Sequence, residues 1–167
     1  MSAKQIDITI REAAADESAI ILHQRRSMFR DMGEGTVEEL DRMAEVAGPW
    51  LARALADGLY RHWLALEGTG RVVGGGGVLL CSWPASPKDP CSERAVILNM
   101  YTEPEFRRQG IARQIMLTIL AWVKERGLRS VNLHASADGR PLYEKLGFVA
   151  TNEMRLTFSP PSPHEAR

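Results

Sequence analysis

One stretch of the sequence has residue types that suit the binding of a phosphate group. An apolar run ends near Pro104, and a loop with the basic residues Arg107 and Arg108 leads to Gly110. The apolar periodicity that follows predicts a helix beginning at Gly110. Free backbone amides and the positive end of a helix dipole would then meet at a glycine that a ligand can approach closely. The pattern indicates a pyrophosphate site, with a basic helix start on a solvated surface as the alternative.

Two motifs in this part of the chain resemble the GCN5-related N-acetyltransferases. Residues 107–112 read R-x-x-G-x-A, which is similar to the acyl-CoA signature Q/R-x-x-G-x-G/A of that family, and residues 102–104 resemble the V-x-P that precedes it. Residues 143–148 resemble the family's Y-x-x-x-G-F element. Both motifs stand in the family's order, and the predicted elements between Ile6 and Phe158 follow the same order. The resemblance therefore extends over nearly the whole chain.

The resemblance implies a binding site for acetyl-CoA as co-substrate. In the family, the strand before the signature separates from its neighbour at a bulge, and its exposed edge binds the pantetheine arm as an added strand would. Carried over to this chain, the residues that hold the pantetheine are Met100, Tyr101 and Thr102, with Ser136 as a further contact unless it only caps the following helix. The residues around the pyrophosphate are Arg107, Arg108, Gln109, Gly110, Ile111, Ala112 and Arg113.

The resemblance also suggests which groups move protons. Tyr143 would be the general acid that protonates the thiolate leaving the thioester, and a core tyrosine with a buried hydrogen-bond partner is the alternative. Many relatives have a glutamate base on the fifth strand, where this chain has Asn132, an amide that cannot act as a base. Glu34, Asp31 and His134 are the candidates that remain, His134 because of its intrinsic pKa.

The acceptor amine would bind across the sheet from acetyl-CoA. Phe29, Met32 and Trp83 are predicted to form an apolar slot, with Asp31 and Glu34 attracting a cationic amine; an ordinary loop between two helices is the alternative. The resemblance names no acceptor, because acceptors in the family range from antibiotics and polyamines to protein termini. We expect a small-molecule amine, with a protein N-terminus or lysine as one alternative and a non-catalytic acyl-CoA sensor as another.

The elements that must position these residues follow from hydrophobic periodicity. In chain order, the sequence predicts a strand at 6–11, a helix from 16 to about 33, a second helix from 36 that breaks at 48–49, a hairpin over 61–83, a strand at 95–102, a helix at 110–126, a strand at 130–135, a short helix at 141–146 and a closing strand at 148–158. This order predicts an α+β fold (α/β, three layers), with a mixed and mostly antiparallel sheet flanked by helices. We expect a single N-acetyltransferase domain over 1–167, with its core over about 6–158 and a frayed tail at 159–167.

A run of four glycines, residues 74–77, does not have the features of a phosphate loop. It lacks the Lys-Ser/Thr that ends such a loop, and it leads into apolar strand residues rather than a helix. Glycines in this position predict a central strand that packs closely against other groups or forms a bulge.

Composition excludes several classes of protein. The 21 basic and 21 acidic residues give a net charge of zero, without the basic excess of a nucleic-acid-binding chain. No apolar run is long enough to span a membrane, and the N-terminal segment has no signal-peptide core. Two cysteines, Cys81 and Cys91, form neither a disulfide framework nor a structural zinc site. We therefore expect a cytoplasmic protein that binds no metal, and the family resemblance is compatible with a homodimer.

Overall fold

The structure of the chain, a computed structural model, describes residues 7–158. These residues form two compact units, 7–134 and 135–158. The expectation of one domain stays a prediction, and the tail at 159–167 lies outside the described residues.

The first unit contains five strands and three helices, and the second contains one short helix. The strands are β1 (Ile8–Glu12), β2 (Tyr60–Glu67), β3 (Val72–Ser82), β4 (Glu93–Thr102) and β5 (Val131–Leu133), and the helices are α1 (Ser18–Asp31), α2 (Val37–Ala56), α3 (Ile111–Glu125) and α4 (Arg140–Lys145). Single 3-10 turns at Ala15–Glu17 and Pro104–Phe106 precede α1 and α3.

The five strands form one sheet in the order β1-β2-β3-β4-β5. Neighbouring strands are antiparallel except β4 and β5, which are parallel. The predicted mixed and mostly antiparallel sheet is confirmed. The parallel pair requires a crossover connection, and α3 lies within it.

Helices cover both faces of this sheet. On one face Tyr60 of β2 packs against Ile21 of α1 and Leu51 of α2. On the other face the ring of Trp63 lies 5.6 Å from that of Trp122 in α3, centroid to centroid. The two faces alternate along β2 as the pleat requires, and the predicted three-layer arrangement is confirmed.

Helix α2 begins with a capping box formed by Thr36 and Glu39. The Glu39 amide donates to the Thr36 hydroxyl at 3.3 Å, and the Glu39 carboxylate accepts from the Thr36 amide at 2.8 Å. The predicted break at 48–49 is wrong, because α2 continues through Pro49. Proline removes one backbone hydrogen bond, but burial of Leu51 and Ala54 in the next turn fixes the helix through tertiary packing.

The predicted closing strand at 148–158 is also wrong. These residues have no regular secondary structure, and the five-stranded sheet does not include them. The apolar side chains that suggested a strand are exposed, Val149 by 82% and Met154 by 94%. Alternating apolar residues form a strand only where a neighbouring strand satisfies their backbone and a core covers one face.

Candidate active site

Strand β4 has a free edge where the sequence predicted one. β5 pairs with it only at Ala95, Val96 and Ile97, whereas β4 continues to Thr102. Backbone groups of residues 98–102 on the β5 side therefore have no strand partner within the sheet. Such an edge can accept an extended ligand by strand addition.

A bulge in β4 lies where the two strands part. Gly77 of β3 pairs with Leu98 and Gly75 pairs with Tyr101, so two residues of β4, 99 and 100, stand opposite one residue of β3. Asn99 has a φ of 58°, in the left-handed region that asparagine tolerates better than most residues. The extra residue bends the strand and increases its local twist, and the predicted separation of β4 from β5 is confirmed.

A buried chain of hydrogen bonds holds this bulge. Arg25 Nη1 donates to Asn99 Oδ1 at 2.6 Å, and Asn99 Nδ2 donates to the Tyr60 hydroxyl at 2.8 Å. The Tyr60 hydroxyl lies 2.9 Å from His62 Nδ1, and His62 Nε2 lies 3.2 Å from Gln24 Oε1. Gln24 is an acceptor at Oε1, so the pattern assigns the imidazole proton to Nε2 and makes the tyrosine the donor to Nδ1. The donors then run in one direction from Arg25 to Gln24.

Burial keeps the two central side chains of this hydrogen-bond network, Tyr60 and His62, uncharged. Desolvation lowers the pKa of His62 to about 3 and raises the pKa of Tyr60. Neither side chain therefore ionises near neutral pH. The hydrogen-bond network acts as a fixed set of dipoles beneath the bulge. We did not predict Tyr60, His62 or Gln24 from the sequence. The available signal was a tyrosine and a histidine two residues apart on a buried strand, followed by four glycines.

The glycines of β3 leave the space that the hydrogen-bonded side chains of Tyr60, His62 and Gln24 occupy. A Cβ atom on Gly75 would clash with His62 Nε2 and Gln24 Oε1, and one on Gly77 would clash with the Tyr60 hydroxyl. The glycine run is therefore the complement of large polar side chains on β2, and the predicted close packing of this strand is confirmed.

The start of α3 presents unbonded backbone amides. Arg108 and Gly110 both have positive φ, 61° and 81°, and Gly110 is the N-cap without a side-chain cap. The first backbone hydrogen bond of the helix runs from the Gln114 amide to the Gly110 carbonyl at 3.0 Å, so the amides of 111–113 precede it. Left-handed residues in such a loop turn successive amides toward one point, which makes an anion-binding concavity.

Two predicted phosphate ligands use their side chains within the protein. Arg107 Nε donates to the Thr102 carbonyl at 2.9 Å, and its Nη2 donates to Asp31 at 2.5 Å. Gln109 Nε2 donates to the Glu105 carbonyl at 3.1 Å. These bonds tie the loop to the end of β4 and leave the backbone of the loop for a ligand. The other basic side chains, Arg108 and Arg113, are exposed.

Asp31 is not a free carboxylate. It bonds Arg107 and also Arg30, whose Nη2 lies 2.9 Å from Asp31 Oδ1. Burial acts to raise the pKa of Asp31, but the hydrogen bonds from both guanidinium groups outweigh it and hold that pKa below its usual value. The charge predicted to attract a cationic acceptor is therefore already paired.

The remaining residues of the predicted acceptor slot do not all come together. Phe29 lies under the guanidinium of Arg25, 4.9 Å from carbon to ring centroid, and Met32 and Glu34 are exposed just beyond the end of α1. Trp83 follows β3 and stacks on Arg94 near the start of β4, 3.8 Å away. Because β4 rises about 3.3 Å per residue, its length separates Trp83 from Thr102 and the end of α1. The predicted grouping of Trp83 with Phe29 is wrong.

The second unit contains Tyr143 and Ser136. The Tyr143 ring meets that of Phe148 edge-on, with centroids 5.9 Å apart, and burial raises the pKa of its phenol. The group is therefore protonated at neutral pH, as a proton donor must be. Ser136 Oγ accepts the Gly139 amide at 3.1 Å, in the turn that precedes α4, and α4 has no side-chain cap. His134, a candidate base, is exposed at the end of the first unit.

Residues 7–158 lack two features that other classes of protein have. None of the helices in this range is both long and apolar enough to cross a membrane. The same range contains no group of three His, Cys, Asp or Glu side chains arranged to bind a metal ion.

Comparison with known proteins identifies the class to which this fold and site belong. The sequence model of the acetyltransferase (GNAT) family matches residues 22–148. The chain therefore belongs to the GNAT family.

Individual relatives support the same assignment. A mycothiol acetyltransferase of Thermomonospora curvata is 30% identical over 94% of this chain and 49% of its own length. A glucosamine 6-phosphate N-acetyltransferase of Trypanosoma brucei brucei is 32% identical over 53% of this chain and 58% of its own length. The chain thus spans about half the length of the curated relatives it matches. A crystal structure of a GCN5-related N-acetyltransferase from Ralstonia eutropha JMP134 is 33% identical, with a TM-score of 0.85 over 91% of this chain and 99% of that one.

Proposed function

We propose that this chain is an acetyl-CoA-dependent N-acetyltransferase that transfers an acetyl group directly to a primary amine of a small molecule. The observation that carries the proposal is the free edge of β4 beyond Ile97, which leads through the loop at 103–110 to the uncapped start of α3. A strand edge is thus followed along the chain by a loop and a helix start whose free amides suit an anion. This combination suits a ligand with an amide-containing arm and a pyrophosphate.

The residues present fit acetyl-CoA. Backbone groups of Met100, Tyr101 and Thr102 would bond the pantetheine arm, and amides of residues 108–113 would bond the pyrophosphate. Thr102 Oγ1 is buried and has no hydrogen-bond partner among residues 7–158, so its hydrogen-bonding capacity is unused within them. A Cβ atom on Gly110 would meet no protein atom within 4 Å, which leaves space for a phosphate. Bound acetyl-CoA supplies the thioester acyl group.

Proton transfers in the reaction are divided between two sites on the chain. After the carbon–nitrogen bond has formed, Tyr143 donates its phenolic proton to the sulfur as the carbon–sulfur bond breaks. The proton that the nitrogen loses on becoming an amide restores the phenol, directly or through water. Glu34 or His134, directly or through water, accepts the proton that the ammonium group must lose before it attacks. Ser136 adds a contact to the pantetheine through its hydroxyl, which without ligand accepts from the Gly139 amide.

The acceptor is a small amine bound near the end of α1, beside Phe29 and Met32. The zero net charge offers no general attraction to nucleic acid or to strongly acidic proteins. Both curated relatives are named for small molecules, mycothiol and glucosamine 6-phosphate. We place the reaction in the cytoplasm, as expected from the sequence.

The test is the release of free CoA thiol from acetyl-CoA across a panel of amines. The panel contains amino sugars, amino acids, polyamines, aminoglycosides and short peptides with free N-termini, and each acetylated product is identified by mass. We expect release that depends on a small amine and yields its N-acetyl derivative. Release of CoA thiol with peptides alone would contradict the small-molecule acceptor and indicate a protein acceptor. Tight acetyl-CoA binding without transfer to any amine would contradict the proposal of an enzyme and favour a non-catalytic acyl-CoA sensor.

A further inference from the structure

Arg25 is a half-buried cation on the face of α1 that covers the β4 bulge. Its Nη1 donates to Asn99 Oδ1 at 2.6 Å, and its guanidinium carbon lies 4.9 Å from the centroid of the Phe29 ring. An amide oxygen and an aromatic face orient the guanidinium, but neither carries a negative charge that would neutralise it.

In the described part of the chain, no carboxylate pairs with Arg25. Among residues 7–158 Arg25 forms no ion pair, and burial lowers its pKa. Its neighbour Arg26 bonds Asp41 at 2.7 Å with a side chain 33% exposed. Both arginines are partly buried, but only Arg26 has an acid as its partner among residues 7–158. A cation removed from water without a counter-ion is costly, and such a cost is retained where an anion binds.

The guanidinium still has donors to offer. Only Nη1 of Arg25 is used within the described part of the chain. Arg25 is only partly buried, and Nε and Nη2 are the donors that its bond to Asn99 leaves unused. Two adjacent N–H groups of a guanidinium match the two oxygens of a carboxylate or phosphate.

The hydrogen-bond chain fixes where these donors stand. Asn99 is held from its other side by the Tyr60 hydroxyl, which the buried His62 and Gln24 orient in turn. Because Asn99 is the bulge residue, Arg25 is anchored to the point at which β4 opens. Under the proposed function this is where the thioester lies, and α1 is on the acceptor side of it.

The nearby acid does not favour a polycationic acceptor. Asp31, six residues further along α1, is paired with Arg107 and Arg30. Next to the bulge, Arg25 is the charged group that has no counter-ion among residues 7–158. We infer that Arg25 binds an oxyanion of the acceptor, so that the substrates of this site are primary amines that also carry a carboxylate or phosphate group. This inference rests on the proposed function and specifies its substrate class.

Matched acceptor pairs test the inference. The pairs are glucosamine 6-phosphate with glucosamine, and alanine with alaninamide, each assayed for CoA release by the wild type, Arg25→Gln, Arg25→Lys and Arg26→Gln. Hydrogen bonds between a guanidinium and an oxyanion predict that the wild type favours the anionic member of at least one pair by about tenfold to a hundredfold in kcat/KM. Which pair shows this preference distinguishes a phosphate from a carboxylate.

The variants separate recognition from a structural role. We expect Arg25→Gln to bring the ratio of kcat/KM between the anionic and neutral amines of a pair close to one. The change should come from a higher KM for the anionic amine. Arg25→Lys should keep part of the preference, and Arg26→Gln, the matched loss of a charge one residue away, should keep all of it. Thermal unfolding of each variant checks that the chain is folded. A wild type without preference for either anionic member would overturn the inference, as would an equal loss of kcat/KM for both members in Arg25→Gln.

A binding measurement distinguishes failure of this inference from failure of the proposed function. Stabilisation against thermal unfolding is measured with glucosamine 6-phosphate, glucosamine, alanine and alaninamide, in the presence of CoA. If no amine supports transfer, the proposed function fails. Selective stabilisation by an anionic amine that is lost in Arg25→Gln then supports the anion site by itself, and its absence overturns both.

Discussion

The side-chain amide of Asn99 donates to the Tyr60 hydroxyl at 2.8 Å, and through this bond β2 holds the left-handed residue at which β4 leaves β5. The bulge is therefore braced from the core rather than by the loop that follows it. Its position sets the length of the free edge on which the proposed acetyl-CoA site depends.

Asn99 contributes both a backbone conformation and a side chain, and two substitutions separate them. Asn99→Gly removes the amide and leaves buried partners unsatisfied, which we expect to lower the free energy of unfolding by about 1–3 kcal/mol. Asn99→Ala adds the cost of a left-handed residue with a Cβ, about 1–2 kcal/mol more. Urea unfolding measures both. Equal stability of the two variants would show that the left-handed conformation is not retained.

Gly77 lies under the Tyr60 hydroxyl, and any side chain there must displace it. We expect Gly77→Ala to lower the free energy of unfolding by roughly 1–3 kcal/mol, as overpacking of a core does. Gly68 is the matched control, because its Cβ would meet nothing within 4 Å and Gly68→Ala should change stability by about 0.5 kcal/mol or less. Both values come from denaturant titration, and similar effects at the two positions would contradict the packing described here.

Burial of neutral His62 makes stability depend on pH. Its pKa is about 3 in the folded chain, against an ordinary value of 6.5, so between these limits the unfolded chain binds a proton that the folded chain does not. The free energy of unfolding should fall as the pH drops through this window, by up to about 1.4 kcal/mol per pH unit, and the contribution is complete above pH 6.5. His62→Gln should be less stable at pH 7 and have a shallower pH dependence. Unfolding from pH 7 to 4.5 measures this, and parallel curves would refute it.

Gly110 and Gly127 lie at opposite ends of α3 with nearly the same conformation, φ 81° and 80°, and an added Cβ would meet no protein atom at either. Alanine at either position should cost about 1–2 kcal/mol of stability through backbone strain. At Gly110 alone it should also weaken acetyl-CoA binding, by about tenfold or more if one bond to the pyrophosphate is lost. Calorimetric titration of both variants decides this. Unchanged affinity in Gly110→Ala would place the pyrophosphate elsewhere.

Tyr143→Phe removes the proposed acid and keeps the aromatic contact with Phe148. We expect kcat to fall by about 10²-fold or more, with the affinity for acetyl-CoA retained. Phe148→Leu is the control for packing, since it alters the same ring contact but leaves the hydroxyl. Steady-state kinetics and acetyl-CoA titration measure these effects. Full turnover by Tyr143→Phe would assign the proton to another donor.

Local sequence determined most of the elements and the start of α3. Apolar periodicity gave α1, α3 and the four longer strands, since a period of 3.6 or 2 is a property of consecutive residues. The R-x-x-G-x-A motif indicated the proposed anion site for a similar reason, because its amides come from one short segment. The same local reasoning failed at 148–158, where an alternating pattern has no strand to pair with.

Tertiary structure alone decided which side chains surround the site. Arg25 bonds the bulge residue Asn99 from 74 positions away. Arg107 pairs with the carboxylate of Asp31 from 76 positions away. No local sequence pattern shows either contact. The glycines of β3 and the polar side chains of β2 are likewise complementary only when the strands are paired. Composition and periodicity specify which face of an element is buried. The partner of a buried polar group depends on the register and packing of distant elements, and these are set when the chain folds.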